Sequence, residues 1–283
     1  MALKFTGAGS QALYALANKA NPPPPLKEAI DSICDLASAR GVRLLFDAEQ
    51  ASLQPGIDAW GLDYMRKYNS PFKAVVYGTY QAYLKACPQI LASHLAIARK
   101  EGFKLGVKLV RGAYIGSDPR HLIHDTKSDT DACYDGLSEC LVRRTYSPAL
   151  RPAEGEFDHA FPPVDVVLAG HNHDSVRKVQ AIRTSQAQEG EDQVDLVYAQ
   201  LQGMADEVSC ELVQAGQVEG VDEKKVEVPH AYKYLVWGTT GECMKYLLRR
   251  AQENKDAVER TREGRNAMAA ELLRRVKAWV GLV

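Results

Sequence analysis

The stretch CPQILASHLAIARKEGFKLGVKLV, residues 87–110, decides the fold. Residues 87–102 carry helical periodicity, and KLGVKLV at 104–110 is a short, nearly continuous apolar run of the kind that forms a strand buried on both faces. AVVYGTY at 74–80 is a second such run directly before the helix. A strand followed by a helix and another strand reads as a parallel pair joined by a crossover.

The same alternation extends in both directions. LKF at 3–5, RLLFDA at 43–48, VDVVLA at 164–169, DLVYAQL at 195–201 and YKYLVW at 232–237 read as further strands, seven in all. Between the first two, prolines open PPPPLKEAIDSICDLASARG; Leu26, Ile30, Ile33 and Ala37 share one face, and Gly41 ends the helix. DSVRKVQAIRTSQAQ at 174–188 is another helix, whereas 146–163, 185–194 and 215–227 read as surface loops. Repetition of this unit predicts an α/β protein with a parallel sheet, best fitted by one (β/α)8 TIM barrel spanning 1–283, with a doubly wound open sheet second. A barrel needs eight strands, so the first is expected upstream of Met1, and a chain lacking it is expected to hold a cofactor poorly.

Composition limits the function classes. The chain has 283 residues, 46% hydrophobic and 25% charged, with 35 Lys plus Arg against 36 Asp plus Glu. That balance gives no general attraction to nucleic acid. Six cysteines fall in no C-x-x-C pair, so neither a zinc site nor a disulfide framework is indicated. No apolar run approaches the roughly 18 residues of a membrane span, and no targeting segment is visible.

In parallel α/β folds ligands bind beyond the carboxyl ends of the strands. There the sequence places Lys4; Asp47 and Glu49; Tyr80 and Gln81; Lys108 and Arg111; His171, Asn172 and His173; Gln200; and Tyr234. Each alone has an ordinary reading as a cap, a solvated cation or a core hydroxyl. Polar residues at the same end of every strand are harder to explain that way. His171 and His173, two apart, would share a strand face and could ligate a metal with Asp47 or Glu49, which keeps a metal-dependent hydrolase open. The surplus of cations argues for an anionic guest instead. No G-x-G-x-x-G follows a strand, and TGAGS at 6–10 is at most a weak phosphate-binding turn.

YLLRRAQEN at 246–254 adds adjacent arginines in a helical segment. Neighbouring helical residues point about 100° apart, so with Tyr246, Leu247 and Leu248 buried, at least one of Arg249 and Arg250 should turn inward toward an anion.

The ordered set FDAEQ, TYQAYLK, KLVRGAY, GHNHDSV, QLQGM and YLLRRAQEN resembles the proline dehydrogenase family of fungal and animal mitochondria and of bacterial proline utilisation A, from about Leu3 to Gly281. The resemblance implies a distorted (β/α)8 barrel binding FAD at the strand ends, with the last helix over its mouth. It implies oxidation of L-proline to Δ1-pyrroline-5-carboxylate, hydride passing from the ring carbon to flavin N5, and electrons going on to a membrane quinone at a mitochondrial site. It assigns Arg249 and Arg250 to the proline carboxylate and Lys4 and Asp47 to the substrate pocket, with Asp47 a candidate base. Tyr234 and Tyr246 would wall the ring, and Leu201 would add an apolar contact. Lys108, His171, Asn172 and Glu253 match flavin-holding positions, with Gln81, Arg111 and Tyr114 nearby. Lys108 stands where bacterial members carry Arg, which keeps charge and changes hydrogen-bond geometry. An inactive barrel fragment is the remaining alternative. The helix 266–280 places Met268, Leu272, Leu273, Val276 and Trp279 on one stripe beside Arg274, Arg275 and Lys277; packing onto the barrel is expected, with peripheral contact to an anionic membrane as the other option.

Overall fold

The computed structural model describes residues 1–155, 160–215, 229–253 and 258–279, with 249–253, 258–264, 267 and 278 described by backbone alone. All seven expected strands are present: β1 (Ala2–Leu3), β2 (Leu44–Phe46), β3 (Val76–Gln81), β4 (Leu105–Val110), β5 (Val164–Ala169), β6 (Leu196–Leu201) and β7 (His230–Tyr234). They form one parallel sheet in chain order. The helices are α1 (Ser10–Ala17), α2 (Pro24–Ala39), α3 (Gln54–Tyr68), α4 (Cys87–Glu101), α5 (Lys127–Arg143), α6 (His173–Glu189), α7 (Asp206–Ala215), α8 (Thr240–Glu253) and α9 (Val258–Trp279).

Side chains that join distant strands show that the sheet curls into a barrel wall. At the amino-terminal end Arg43, just before β2, donates to both carboxylate oxygens of Asp195, just before β6, at 2.7 and 2.5 Å. Its Nε also donates to the buried Tyr77 hydroxyl of β3 at 3.2 Å. At the carboxyl end Tyr234 of β7 reaches Asp47 beyond β2. The sequence order, parallel register and curl are those of a distorted (β/α)8 barrel, with seven strands among the described residues.

Strand parity divides the side chains between two environments, because successive residues point to opposite faces. Leu44, Phe46, Val76, Leu105, Val107, Leu109, Val164, Val166, Leu168 and Leu196 join the large core under the helices. The other parity, with Tyr77, Val167 and Val197, makes a smaller cluster inside the curl. Tyr77 fits there because its register partner is Gly106, where a Cβ would lie 2.4 Å from the Val76 carbonyl oxygen. Behind the sheet Gly56 of α3 meets α1 so closely that a Cβ would sit 2.3 Å from the Leu16 carbonyl oxygen. Phe5 stacks edge-on against Phe46 and Trp60, with centroids 4.9 and 5.3 Å apart, tying the turn after β1 into this layer.

Two expectations change here. The predicted loop 185–194 begins later, because α6 runs to Glu189 and ends on Gly190 in the left-handed region. The stripe on α9 packs only loosely: Met268, Leu272, Leu273, Val276 and Trp279 are 50–88% exposed, with Met268 and Leu272 bordering the cavity described next. The helix touches α7 with little of its apolar surface, so the periodicity marked a face without marking its partner. TGAGS forms a tight turn running into α1 and lies off the cavity wall described next. The predicted loop at 215–227 falls mostly outside the described residues.

Candidate active site

A wide cavity opens at the carboxyl ends of the strands. It is lined by Lys4, Asp47, Gln81, Lys108, Arg111, Tyr114, His171, Asn172, Leu201, Tyr234 and Tyr246, whereas the strand-end candidates Glu49 and Tyr80 lie off its wall. The side chains of Arg249, Arg250 and Glu253 lie outside the described residues, and the backbone places all three on α8. Leu247 and Leu248 are 50% and 61% exposed, contrary to the expectation that they are buried. The steric reasoning that turned an arginine inward from this segment therefore does not hold, since α8 is not enclosed on both sides.

At the centre Asp47 joins three strands. Its Oδ1 accepts from Lys108 Nζ at 2.6 Å and its Oδ2 from the Tyr234 hydroxyl at 3.1 Å. Lys108 Nζ also stands 5.5 Å from the Tyr234 ring centroid, close enough for a cation–π attraction. Asp47 and Lys108 are both buried, so each needs the other. Burial first, and then the Asp47 charge, push the Tyr234 hydroxyl above the ordinary tyrosine range.

A second network closes the β1 side. Lys4 Nζ donates to the Tyr114 hydroxyl at 2.8 Å and lies 3.2 Å from Glu49 Oε2, while Tyr114 donates to the same oxygen at 2.9 Å. Thr6 donates to the other Glu49 oxygen at 2.8 Å. Burial disfavours the Lys4 ammonium, but the Tyr114 hydrogen bond and the Glu49 charge outweigh it, and its pKa ends above the ordinary lysine value. Gln81, also buried, donates to the Glu49 carbonyl at 3.2 Å.

On the far wall α6 aims its amino terminus at the cavity. Asn172 caps the helix, its Oδ1 accepting from Ser175 N at 3.1 Å. The Leu201 backbone N–H donates to His171 Nε2 at 3.1 Å, which sets the imidazole as an acceptor on that side. His173 is not on a strand: β5 ends at Ala169, and His173 begins α6 and pairs with Glu211 of α7. The two-histidine strand face imagined for a metal is absent for that reason. Among the described residues no three His, Cys, Asp or Glu side chains converge as a metal cage. Arg111 braces α5 against α6, donating to Asp131 and Ser175 at 2.8 Å each and covering the Tyr134 ring at 4.2 Å.

Parity also removes two strand-end candidates. Tyr80 points into the helix layer, its hydroxyl 2.8 Å from His94 Nδ1 of α4, and Gln200, though it borders the cavity, turns its amide oxygen toward α7, accepting from Ser209 at 3.0 Å. The expected surplus of cations is smaller than it looked, because Lys4, Lys108 and Arg111 each meet a carboxylate. Glu49 was a strand-end candidate from sequence, with a metal as its possible guest, whereas its hold on Lys4 and Tyr114 and the Gln54 behind it were not foreseen. Glu49 has the same parity as Leu45 and Asp47, which was the available signal.

Residues 2–263 match the family model described as proline dehydrogenase. The chain belongs to the proline dehydrogenase family. It is 34% identical over 267 residues to the probable mitochondrial proline dehydrogenase of Schizosaccharomyces pombe, covering 88% of this chain and 50% of that protein. It is 32% identical over 260 residues to human mitochondrial proline dehydrogenase 1, covering 88% and 38%, and 33% identical over 243 residues to bovine hydroxyproline dehydrogenase, covering 85% and 49%. The chain thus spans about half the length, or less, of these curated relatives. Among solved structures, proline utilization A from Bdellovibrio bacteriovorus, inactivated by N-propargylglycine, superposes with a TM-score of 0.67 at 20% identity over 89% of this chain and 24% of the other, a likeness of fold.

Proposed function

We propose that this family member catalyses the FAD-dependent oxidation of L-proline to Δ1-pyrroline-5-carboxylate. The observation that carries the reading is the convergence of Asp47, Lys108 and Tyr234 from non-adjacent strands at the mouth of a barrel with this family membership. A buried, mutually satisfied polar cluster facing a cavity is the usual mark of a pre-organised site.

The donor set fits a flavin dinucleotide. The amino terminus of α6 and the His171 and Asn172 loop offer donors suited to phosphate and ribose, and inward-facing Val167, Ala199 and Leu201 give an apolar wall for a planar ring. Lys108, Gln81, His171, Asn172 and Glu253 would hold the cofactor, with Tyr114 beside it. Arg111 would act through α5 and α6, which it already clamps. Bound FAD supplies the two-electron chemistry, and the protein supplies position.

For the substrate, Arg249 and Arg250 would grip the carboxylate in the bidentate manner guanidinium allows. Tyr234 and Tyr246 would wall the pyrrolidine ring, and Leu201 would exclude water. Asp47 already accepts two hydrogen bonds, so its first role would be to hold Lys108 and Tyr234 in place; removal of the amine proton by solvent leaves no base obligatory. Names of mitochondrial relatives support a mitochondrial location, and a quinone would be the electron acceptor. The exposed stripe of α9 beside Arg274, Arg275 and Lys277 supports peripheral contact with an anionic membrane, where such an acceptor resides.

Arg249→Met and Arg250→Met test the assignment. Each is expected to weaken proline binding by about 2–4 kcal/mol while flavin content stays near wild type. Wild-type proline affinity in either variant would remove that arginine from the substrate site. Because hydroxyproline dehydrogenases are as similar to this chain as some proline dehydrogenases, both amino acids belong in the assay.

A further inference from the structure

Glu49 is 2% exposed and lies behind the cavity wall, yet its carboxylate holds two residues of that wall and takes part in no role given above. An ionised carboxylate this deep persists only when it is paired and hydrogen-bonded. Its partners come from two distant segments: Lys4 and Thr6 in the turn after β1, and Tyr114 in the loop after β4. Two of them, Lys4 and Tyr114, line the cavity.

Glu49 is also held from behind. Its backbone N–H donates to Gln54 Oε1 at 2.8 Å, and Gln54 Nε2 donates to Asp58 Oδ1 at 2.8 Å. Gln54 thus has both ends of its amide engaged, one by the loop at the mouth and one by a carboxylate in the helix layer. Neither Gln54 nor Asp58 touches the cavity. An ammonium carries three donors. Tyr114 and Glu49 engage two of those of Lys4, fixing the direction of the third at the edge of the cavity.

We propose that Glu49 is a positioning residue: its buried carboxylate, fixed through Gln54, holds the Lys4 ammonium, braced on the Tyr114 hydroxyl, where it meets the carboxylate of an amino-acid substrate. This rests on the reading of the cavity as a proline site. Without the Glu49 charge, Lys4 loses its anionic anchor and swings on a flexible stem, while the cavity wall keeps its residues.

The experiment uses the flavin-loaded protein and two variants, Glu49→Gln and Gln54→Ala, with two measurements. In the first, the unmodified Lys4 ammonium is titrated by NMR through the 13Cε signal of lysine-labelled protein, assigned with Lys4→Arg, without substrate. Glu49→Gln is expected to lower the Lys4 pKa, since the anion that stabilises the ammonium is gone. In the second, steady-state proline oxidation is measured. Glu49→Gln is expected to raise KM about tenfold with a smaller change in kcat, the scale of one charge-assisted hydrogen bond, and Gln54→Ala to raise it in the same direction by less. An unchanged Lys4 pKa in Glu49→Gln would overturn the proposal, as would an unchanged KM in both variants of an enzyme that oxidises proline. A wild-type protein indifferent to proline, with Lys4 still responding to Glu49→Gln, would remove the substrate reading and leave the hold of Glu49 on Lys4 in place.

Discussion

Lys108→Met asks how much of the site's architecture depends on one buried pair. The substitution keeps the length of the stem and removes the ammonium, leaving Asp47 with the Tyr234 hydroxyl as its remaining described partner. Breaking a buried pair by deleting one member costs about 3–5 kcal/mol, because the other charge stays buried and uncompensated. The side chains of Lys108 and Asp47 keep 9% and 13% exposure toward the cavity, which lets water relieve part of that cost and favours the lower end, about 3 kcal/mol. At about 2–4 °C per kcal/mol for a domain of this size, Tm should fall by about 6–12 °C. Adding Asp47→Asn removes the stranded charge and leaves an acceptor for Tyr234, so the double variant should recover most of the loss. Thermal unfolding of the four proteins in one buffer, read as a double-mutant cycle, gives the coupling directly. Additive losses, or a Lys108→Met protein as stable as wild type, would show that the 2.6 Å contact is not a coupled buried pair.

Three further outcomes are expected. Behind β3, burial holds the His94 imidazole down to about 4, with Arg66 adding to it, and pushes the Asp58 carboxyl up to about 6. On acidification the unfolded chain gains the His94 proton first, which destabilises, whereas the native state gains the Asp58 proton first, which stabilises. The two therefore oppose each other, and Asp58→Asn should unmask a loss of at most about 3 kcal/mol between pH 6.5 and 4, at 1.36 kcal/mol per pH unit, that His94→Gln does not show; equal slopes in denaturant titrations would refute it. Arg43→Met should destabilise the barrel from its amino-terminal end by about 0.5–1.5 kcal/mol, since the half-exposed Asp195 is taken up by water and only the Tyr77 hydroxyl is left short of a donor, and should leave proline KM unchanged; a shifted KM would mean that this end communicates with the mouth. Leu272→Glu with Leu273→Glu should abolish sedimentation with vesicles containing anionic lipid if α9 is the membrane contact, and undiminished sedimentation would place that contact elsewhere.

The strands were legible because each is a short apolar run closed by polar residues, and VDVVLA coincides with β5 residue for residue. Their number and parallel order followed from the helices between them. The direction of individual side chains was less legible, since adjacent residues such as Tyr80 and Gln81 look equally placed in sequence while parity sends one to His94 and the other to the cavity. Pairing was invisible for a different reason: Lys4, Glu49 and Tyr114 meet only because the sheet curls, so three residues that read as independent candidates form one network. Helical periodicity likewise identified the apolar face of α9 without saying what covers it.

The central claim is that this cavity oxidises proline with a bound flavin. It is tested most directly by reconstituting the purified protein with FAD, removing unbound cofactor, and adding L-proline under anaerobic conditions while recording the visible spectrum. The account requires that the flavin the protein holds, however little remains bound, has an oxidised band that bleaches with proline and returns on adding a quinone. A stoichiometrically loaded protein whose spectrum stays unchanged at saturating proline would contradict it.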